Sequence, residues 1–282
     1  MDSIRQTLKN APDHGRNDII NRIRLVMNAD IERKRVFLLV EGSDDQKFVR
    51  YTLSKNVDCF ESPGGKRVLY DLLKSDEIAS ERVIAIRDRD YSTPEDYPDR
   101  MFAYDHCALE LMILFHPTIR NRMRNHCESV EDKKDFPLPT MRHIAPFSLL
   151  RQKNEKQHLM LRLNKGILSG LQGHSELPDM PTLFLQTGIP DRLLAICCQE
   201  AETLADETLW DITNGHDICA VLARISRLAG NRTNEDGYRA YLLDMYRPED
   251  FCDTKLFHEL FDYQQQHQLS ILKVPGGETD AI

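Results

Sequence analysis

Several common signatures are missing from this 282-residue sequence. No apolar run approaches the roughly 20 residues of a membrane helix. The start, Met1-Asp-Ser-Ile-Arg-Gln, lacks the apolar core of a signal peptide. Together these absences lead us to expect a cytoplasmic protein that does not engage membranes. The seven cysteines, at 59, 107, 127, 197, 198, 219 and 252, form no CxxC and no paired Cys/His spacing. Neither a zinc site nor a disulfide framework is indicated, and reduced, mostly buried thiols are expected. There is no GxxxxGK(S/T) motif, so any ATP must be bound by another subunit. Internal repeats and low-complexity tracts are absent. Positive charge is in deficit: the formal net charge is -8. That argues against a surface coated for nucleic acid, while leaving room for a local basic groove. The 41% hydrophobic and 29% charged residues describe a folded globular chain.

What is present centres on two segments, Val36-Phe-Leu-Leu-Val-Glu-Gly-Ser-Asp-Asp45 and Val83-Ile-Ala-Ile-Arg-Asp-Arg-Asp90. Each is a short apolar run rich in β-branched residues that ends in carboxylates. Such runs read as buried strands of a parallel sheet, and open α/β sheets bind ligands beyond the carboxyl ends of their strands. Further strands are expected near Val57–Ser62 and at Met101–Tyr104. Helices are expected near 44–54, 66–75 and 106–115, the last closed by Pro117. Ser43 or Asp44 is a suitable N-cap for the first of these, and Asp45 falls in its first turn. The pattern describes an α/β domain with a central, mostly parallel sheet. Residues 1–35 read as a polar helical segment with apolar positions 19, 20, 23 and 26 at helix period. We expect the α/β domain over 36–127, a Pro-rich, charged connecting segment over 128–149, and a helical domain over 150–282. Its helices fall near 150–163, 190–208, 216–229, 235–246 and 254–267, with Gly230 suited to close the third. The tail from Pro275 reads as loose.

The carboxylates carry the chemistry. Glu41, Asp45, Asp88 and Asp90 sit at the ends of neighbouring predicted strands and form candidates for one divalent-metal site. Magnesium takes a few carboxylate oxygens and fills its remaining positions with water and substrate phosphate. Metal ions then stabilise the attacking and leaving oxygens of phosphoryl transfer. Asp88-x-Asp90 offers two acids at a strand end, and Glu41 can bind metal or shuttle a proton. For any one acid alone, an N-cap or loop role is the better reading; the four together favour a site. Other polar residues carry two readings each. Arg87 shares a strand face with Val83 and Ala85 and either reaches phosphate or turns to solvent. Lys66, beside two glycines, contacts phosphate or simply starts a helix. Arg120, Arg122 and Arg124 either touch a phosphate backbone or form a solvated helix end. Arg33, Lys34 and Arg35 read as a solvated strand entry. In Asn214-Gly-His-Asp217, helix initiation accounts for the motif without chemistry. Trp210, Tyr238, Tyr241 and Tyr246 read as core.

These residues resemble a known family. Val40-Glu-Gly-Ser-Asp-Asp-Gln-Lys-Phe, Gly64-Gly-Lys and Ile84-Ala-Ile-Arg-Asp-Arg-Asp-Tyr look like the Toprim domain of topoisomerases, bacterial primases and overcoming-lysogenization-defect nucleases. With Tyr104-Asp-His-Cys-Ala-Leu-Glu110 and Asn214-Gly-His-Asp217, the chain is similar to the small Toprim-like proteins encoded beside ABC-type ATPases, such as PARIS-type anti-phage effector subunits. The resemblance covers residues 36–115 well and the remainder loosely. It implies a toxic, Mg2+- or Mn2+-dependent endonuclease acting on DNA or RNA, transfer RNA included, with an ABC-type ATPase partner. It implies Glu41 as metal ligand or general acid/base, Asp88 and Asp90 as the DxD metal ligands, Asp45 as a second acid, and Glu110 as completing a second metal site. Asp105 is equally well explained as a helix N-cap. Arg87 departs from the family, which usually has an apolar residue there.

Two other classes compete. Asp88-Arg-Asp-Tyr-Ser92 also fits the start of a haloacid-dehalogenase phosphatase, with Asp88 as nucleophile, but that leaves Glu41 to Asp45 without a role. A non-catalytic module that binds nucleic acid or an ATPase is the third reading. Topoisomerase and primase are disfavoured because the additional segments such enzymes use are not evident. A homodimer, with two sites on one substrate, would suit a nuclease.

Overall fold

The computed structural model describes residues 12–93, 97–125, 135–163, 168, 189–225 and 233–273. The chain divides into two compact units. One comprises residues 1–88, 93–104 and 247–282; the other comprises 89–92 and 105–246.

The first unit is built on a four-stranded, all-parallel sheet, as the sequence pattern predicts. Its strands are β1 (Val36–Val40), β2 (Val57–Glu61), β3 (Val83–Arg87) and β4 (Met101–Ala103), in the order β2-β1-β3-β4. β1 and β3 are buried at every position. Parallel strands covered on both faces have no solvent side, so their sequences run apolar without alternation. Helix α1 (Pro12–Ala29) and helix α3 (Gly65–Leu73) cover one face. Ile19, Ile20 and Ile23 from α1, and Leu69, Leu72 and Leu73 from α3, pack with Phe37, Leu39, Val83 and Ala85. Successive strand side chains point to opposite faces. Helix α2 (Ser43–Thr52) packs beside β2 and contributes Phe48, whose ring meets Tyr104 edge-on at 5.6 Å and Phe251 at 5.3 Å. Each such fully buried large apolar side chain contributes about 1.5–3 kcal/mol.

The second unit contains α4 (Leu109–Phe115), α5 (Pro117–Arg124), α6 (Leu138–Lys156), α7 (Asp191–Ala201), α8 (Asp206–Ile212), α9 (Gly215–Ile225) and α10 (Glu235–Met245). Its core includes Leu111, Ile113, Ile144, Phe147, Leu209, Ile218 and Leu242, all buried.

These units differ from the boundaries expected over 36–127, 128–149 and 150–282. The chain returns to the sheet unit through α11 (Pro248–Phe251) and α12 (Lys255–His267). Leu272 bridges Leu53, and Ser54 N donates to the Ile271 carbonyl at 2.8 Å. Both apolar side chains are buried there. The expected connecting segment is partly helical, since α6 begins at Leu138. Pro139 stands in its first turn, where a missing N–H costs nothing, and the buried face of Met141, Ile144, Phe147 and Leu150 outweighs Pro146 in its interior. Gly230 and the tail from Pro275 lie outside the described residues.

Candidate metal centre

Glu41 and Asp88 follow the two central strands of the sheet. The parallel register aligns Val40 with Ile86, so Glu41 runs beside Arg87 at the carboxyl edge. Arg87 Nε stands 3.5 Å from Glu41 Oε1 and donates to the Asp88 carbonyl at 2.7 Å. Its guanidinium also lies 5.6 Å from the centre of the Tyr97 ring. The Arg87 side chain is only 8% exposed, against 22% for Glu41. The solvent-facing reading of Arg87 is therefore corrected. Strand alternation turns it to the same side as Glu41, and the carboxylate draws its charge inward.

Gly42, with extended backbone, caps α2. Neither Ser43 nor Asp44 is the cap, because the helix begins at Ser43, one residue earlier than a Ser43 cap requires and two earlier than an Asp44 cap requires. A glycine cap has no side chain, and Asp45 supplies the polar contact from inside the first turn: its Oδ2 accepts from Gly42 N at 2.9 Å. Its Oδ1 accepts from the Tyr104 hydroxyl at 2.7 Å. Burial first, then the Asp45 charge, push that hydroxyl well above its usual pKa, so it stays a neutral donor. Asp45 thus ties the β1–α2 turn to the end of β4. Asp88 is half-buried.

Asp90 and Glu110 belong to the second unit. Asp90 adopts a left-handed conformation (φ 50°), which aspartate tolerates better than most residues. Its N–H donates to the Cys107 carbonyl at 2.8 Å. Asp90 and Tyr91 line a polar cavity of about 140 Å3 with Arg151, Asn154, Glu155 and Asn214. The Tyr91 hydroxyl is buried there with no hydrogen-bond partner among the described residues. Glu110 is buried in the first turn of α4, and its Oε1 accepts from Arg239 Nε at 2.6 Å. Asp105 is not an N-cap, since Ala108 holds that position.

Asn214-Gly-His-Asp217 initiates α9: Asn214 Oδ1 accepts from His216 N at 3.0 Å and from Asp217 N at 3.3 Å. Its other side chains are also engaged. His216 Nδ1 meets Glu235 Oε1 at 2.6 Å. Asp217, fully buried, receives Nε and Nη2 of Arg151, while Nη1 donates to the Leu163 carbonyl at 2.9 Å. Burial pushes the Asp217 carboxyl up, and Arg151 opposes that. Sequence reasoning missed this fork; no local pattern couples residues 66 positions apart. It also missed Asp211, whose Oδ1 is 3.2 Å from His106 Nδ1 and whose Oδ2 is 3.4 Å from Arg89 Nη2. The His106 hydrogen bond, with Arg89 adding attraction, holds the Asp211 carboxyl below its usual pKa.

The basic candidates are dispersed. Lys66 is the second residue of α3. Pro117 opens α5 as its first residue as well as ending α4. On α5, Ile119 and Met123 form the buried face; Arg122 is exposed, while Arg120 and Arg124 are half-buried. The Arg120 guanidinium lies 5.9 Å from the Phe115 ring centre. At the entry to β1, Lys34 pairs with Glu32 at 2.7 Å and Arg35 with Asp58 at 3.2 Å, which matches the solvated reading. Trp210, Tyr238 and Tyr246 are buried in the core, and Tyr241 is half-buried.

Among the described residues, no group of three or more His, Cys, Asp or Glu side chains is arranged to hold a metal ion. The donor chemistry of Glu41, Asp45 and Asp88 nonetheless fits a hard cation, since all three offer carboxylate oxygens. No protein-family model matches the chain, and no curated protein matches it.

Proposed function

We propose that the protein is a Mg2+- or Mn2+-dependent endonuclease with a Toprim-like sheet unit, acting as the toxic effector of an anti-phage system with an ABC-type ATPase partner. The observation that carries this reading is the alignment of the two central strands, each followed at the carboxyl edge by an acid, Glu41 and Asp88. Asp45 stands in the first turn of the helix after β1 and is proposed to join them. In this reading Asp45 and Asp88 are metal ligands, and Glu41 binds metal or moves a proton at the scissile phosphate. A bound divalent ion would polarise the phosphate and stabilise the charge that builds on its oxygens. Arg87 positions Glu41 and offsets its charge until a cation takes that role. Asp90 and Glu110 remain proposed ligands on the strength of the resemblance alone. Substrate contacts by Lys66, Arg87, Arg120, Arg122 and Arg124 are proposed on the same footing, as are the cytoplasmic location and the homodimer.

The test is cleavage of single-stranded DNA, duplex DNA and transfer RNA with Mg2+ or Mn2+, with and without an ABC-type ATPase. Wild type should cut at least one polymer, chelation should abolish cutting, and Glu41→Gln should lower the rate roughly a hundredfold or more. Undiminished cleavage by Glu41→Gln would sink the proposal. A trapped phospho-aspartate at Asp88 would move the assignment to a haloacid-dehalogenase-like phosphatase. Binding without cleavage under every condition would leave a non-catalytic module.

A further inference from the structure

Arg87 is the last residue of β3, a strand whose five positions are all buried. An apolar side chain would complete that strand, and replacing a buried ion pair by packed apolar groups is often neutral or stabilising. Stability alone therefore does not account for a guanidinium here. Its surroundings belong to the carboxyl edge of the sheet. Nε donates to the Asp88 carbonyl at 2.7 Å and stands 3.5 Å from Glu41 Oε1, and the guanidinium lies over the Tyr97 ring at 5.6 Å. All four residues are in the sheet unit. The Arg87 side chain is 8% exposed, so its charge is screened less than that of a surface arginine.

This position gives Arg87 two opposite effects on the proposed metal centre. It lends Glu41 a counter-charge and holds it in place. It also sets a positive charge beside the carboxylate that a divalent ion would take. Two like charges at close range repel, whatever else holds the guanidinium. A phosphate group reaching both of them removes the conflict. A guanidinium presents its N–H groups as a planar fork that fits two phosphate oxygens, and a hard cation accepts phosphate oxygens alongside carboxylate ones.

We propose that Arg87 couples metal loading to phosphate binding at the sheet edge: it weakens the hold on a divalent ion alone and strengthens it once a phosphate group is bound. The inference rests on the metal-centre reading above and adds to it a regulation of that centre. Its consequence is that the ion is held well only in the substrate-bound protein. Such coupling is reciprocal, so the metal must favour the phosphate by the same factor.

The test is calorimetric titration of Mn2+ into the full chain, alone and with saturating thymidine bisphosphate (phosphates on both sugar hydroxyls). Mn2+ held by the free bisphosphate is subtracted from a protein-free titration. Arg87→Gln removes the charge and keeps a donor for the Asp88 carbonyl. It should bind Mn2+ alone at least about fivefold more tightly than wild type, the lower end of ordinary coupling between sites. A merely structural Arg87 would give weaker binding instead. The bisphosphate should tighten Mn2+ binding to wild type by at least about the same factor, and by much less in Arg87→Gln. Arg87→Lys keeps the charge without the fork, so it should match wild type with Mn2+ alone and recover only part of the gain from bisphosphate. Melting curves check that each variant is folded; Arg87→Met, a second neutral variant, carries the same expectations if Arg87→Gln does not fold. Equal or weaker Mn2+ binding by a folded neutral variant would overturn the proposal and leave the metal centre standing. So would the absence of a bisphosphate gain in wild type, or an equal gain in the neutral variant. No saturable Mn2+ binding by wild type or by either neutral variant would overturn the metal-centre reading, and this proposal with it.

Discussion

The acids of the sheet unit and those of the helical unit are held in different ways. In the helical unit, Asp217 has no side-chain exposure and receives a two-point fork from Arg151, while Glu110 is 8% exposed and paired with Arg239 at 2.6 Å. At the sheet edge, Glu41 is 22% exposed and its arginine stands back at 3.5 Å. Short, buried pairs satisfy their carboxylates and become structural, because separating either partner strands a charge in low dielectric. At Glu41 the longer distance and the greater exposure of the carboxylate leave it more open to a cation, although Arg87 itself is buried. The comparison gives Glu110 a structural account of its own and concentrates the proposed chemistry on Glu41, Asp45 and Asp88.

The largest effect that would sharpen this contrast is at Arg151. Arg151→Ala should destabilise the fold by about 3–5 kcal/mol, because Asp217 would be left buried without its counter-charge. Denaturant unfolding measures this, and a loss comparable to an ordinary surface substitution would break the distinction. Gly215→Ala comes next. A methyl group there would collide with the Glu110 carboxylate and come within 3.1 Å of Ala108 Cβ. Arg239 restrains that carboxylate, so overpacking should cost about 1–3 kcal/mol. Wild-type stability in Gly215→Ala would mean that the Glu110–Arg239 pair is loose.

The smallest effect is a pH dependence at Asp211. Its folded-state pKa is lowered by His106 and Arg89, so its contribution is present above the unfolded carboxylate pKa. That contribution is lost as pH falls through the lower, folded value. The side chain is 41% exposed, and solvent screening keeps the effect small. Asp211→Asn should flatten part of the acid limb of a stability–pH profile and leave stability at pH 7 only slightly reduced. An unchanged acid limb would remove Asp211 from the tightly held acids of that unit.

Local pattern made the sheet legible. Apolar runs at 36–40 and 83–87, each followed by acids, announce buried parallel strands, and the helix at 65–73 shows its buried stripe in Val68, Leu69, Leu72 and Leu73. The spacing that puts Ile19, Ile20 and Ile23 on one face was equally readable. What each helix packs against was not. Lys255–His267 has an ordinary amphipathic pattern, and nothing in it says that Tyr263 will donate to the Glu81 carbonyl at 2.8 Å. Helix 138–156 was obscured by its own prolines. At the candidate site, the acids were legible as residue types at strand ends. Their counter-charges were not: Arg87 stands out in the sequence only as a possible phosphate contact, and Arg151 and Arg239 reach their partners through tertiary packing with no sequence signal at their own positions.

The most direct test of the central claim is calorimetric titration of Mn2+ into wild type, Asp88→Asn, Glu41→Gln and, as a folded control from the helical unit, Asp211→Asn. Saturable binding should appear in wild type and in Asp211→Asn, and should weaken at least about tenfold in Asp88→Asn and Glu41→Gln, since even outer-shell changes at metal sites cost that much. Folded wild type with no saturable Mn2+ binding, or Asp88→Asn and Glu41→Gln proteins that bind as wild type does, would contradict the assignment of the metal centre to the sheet edge.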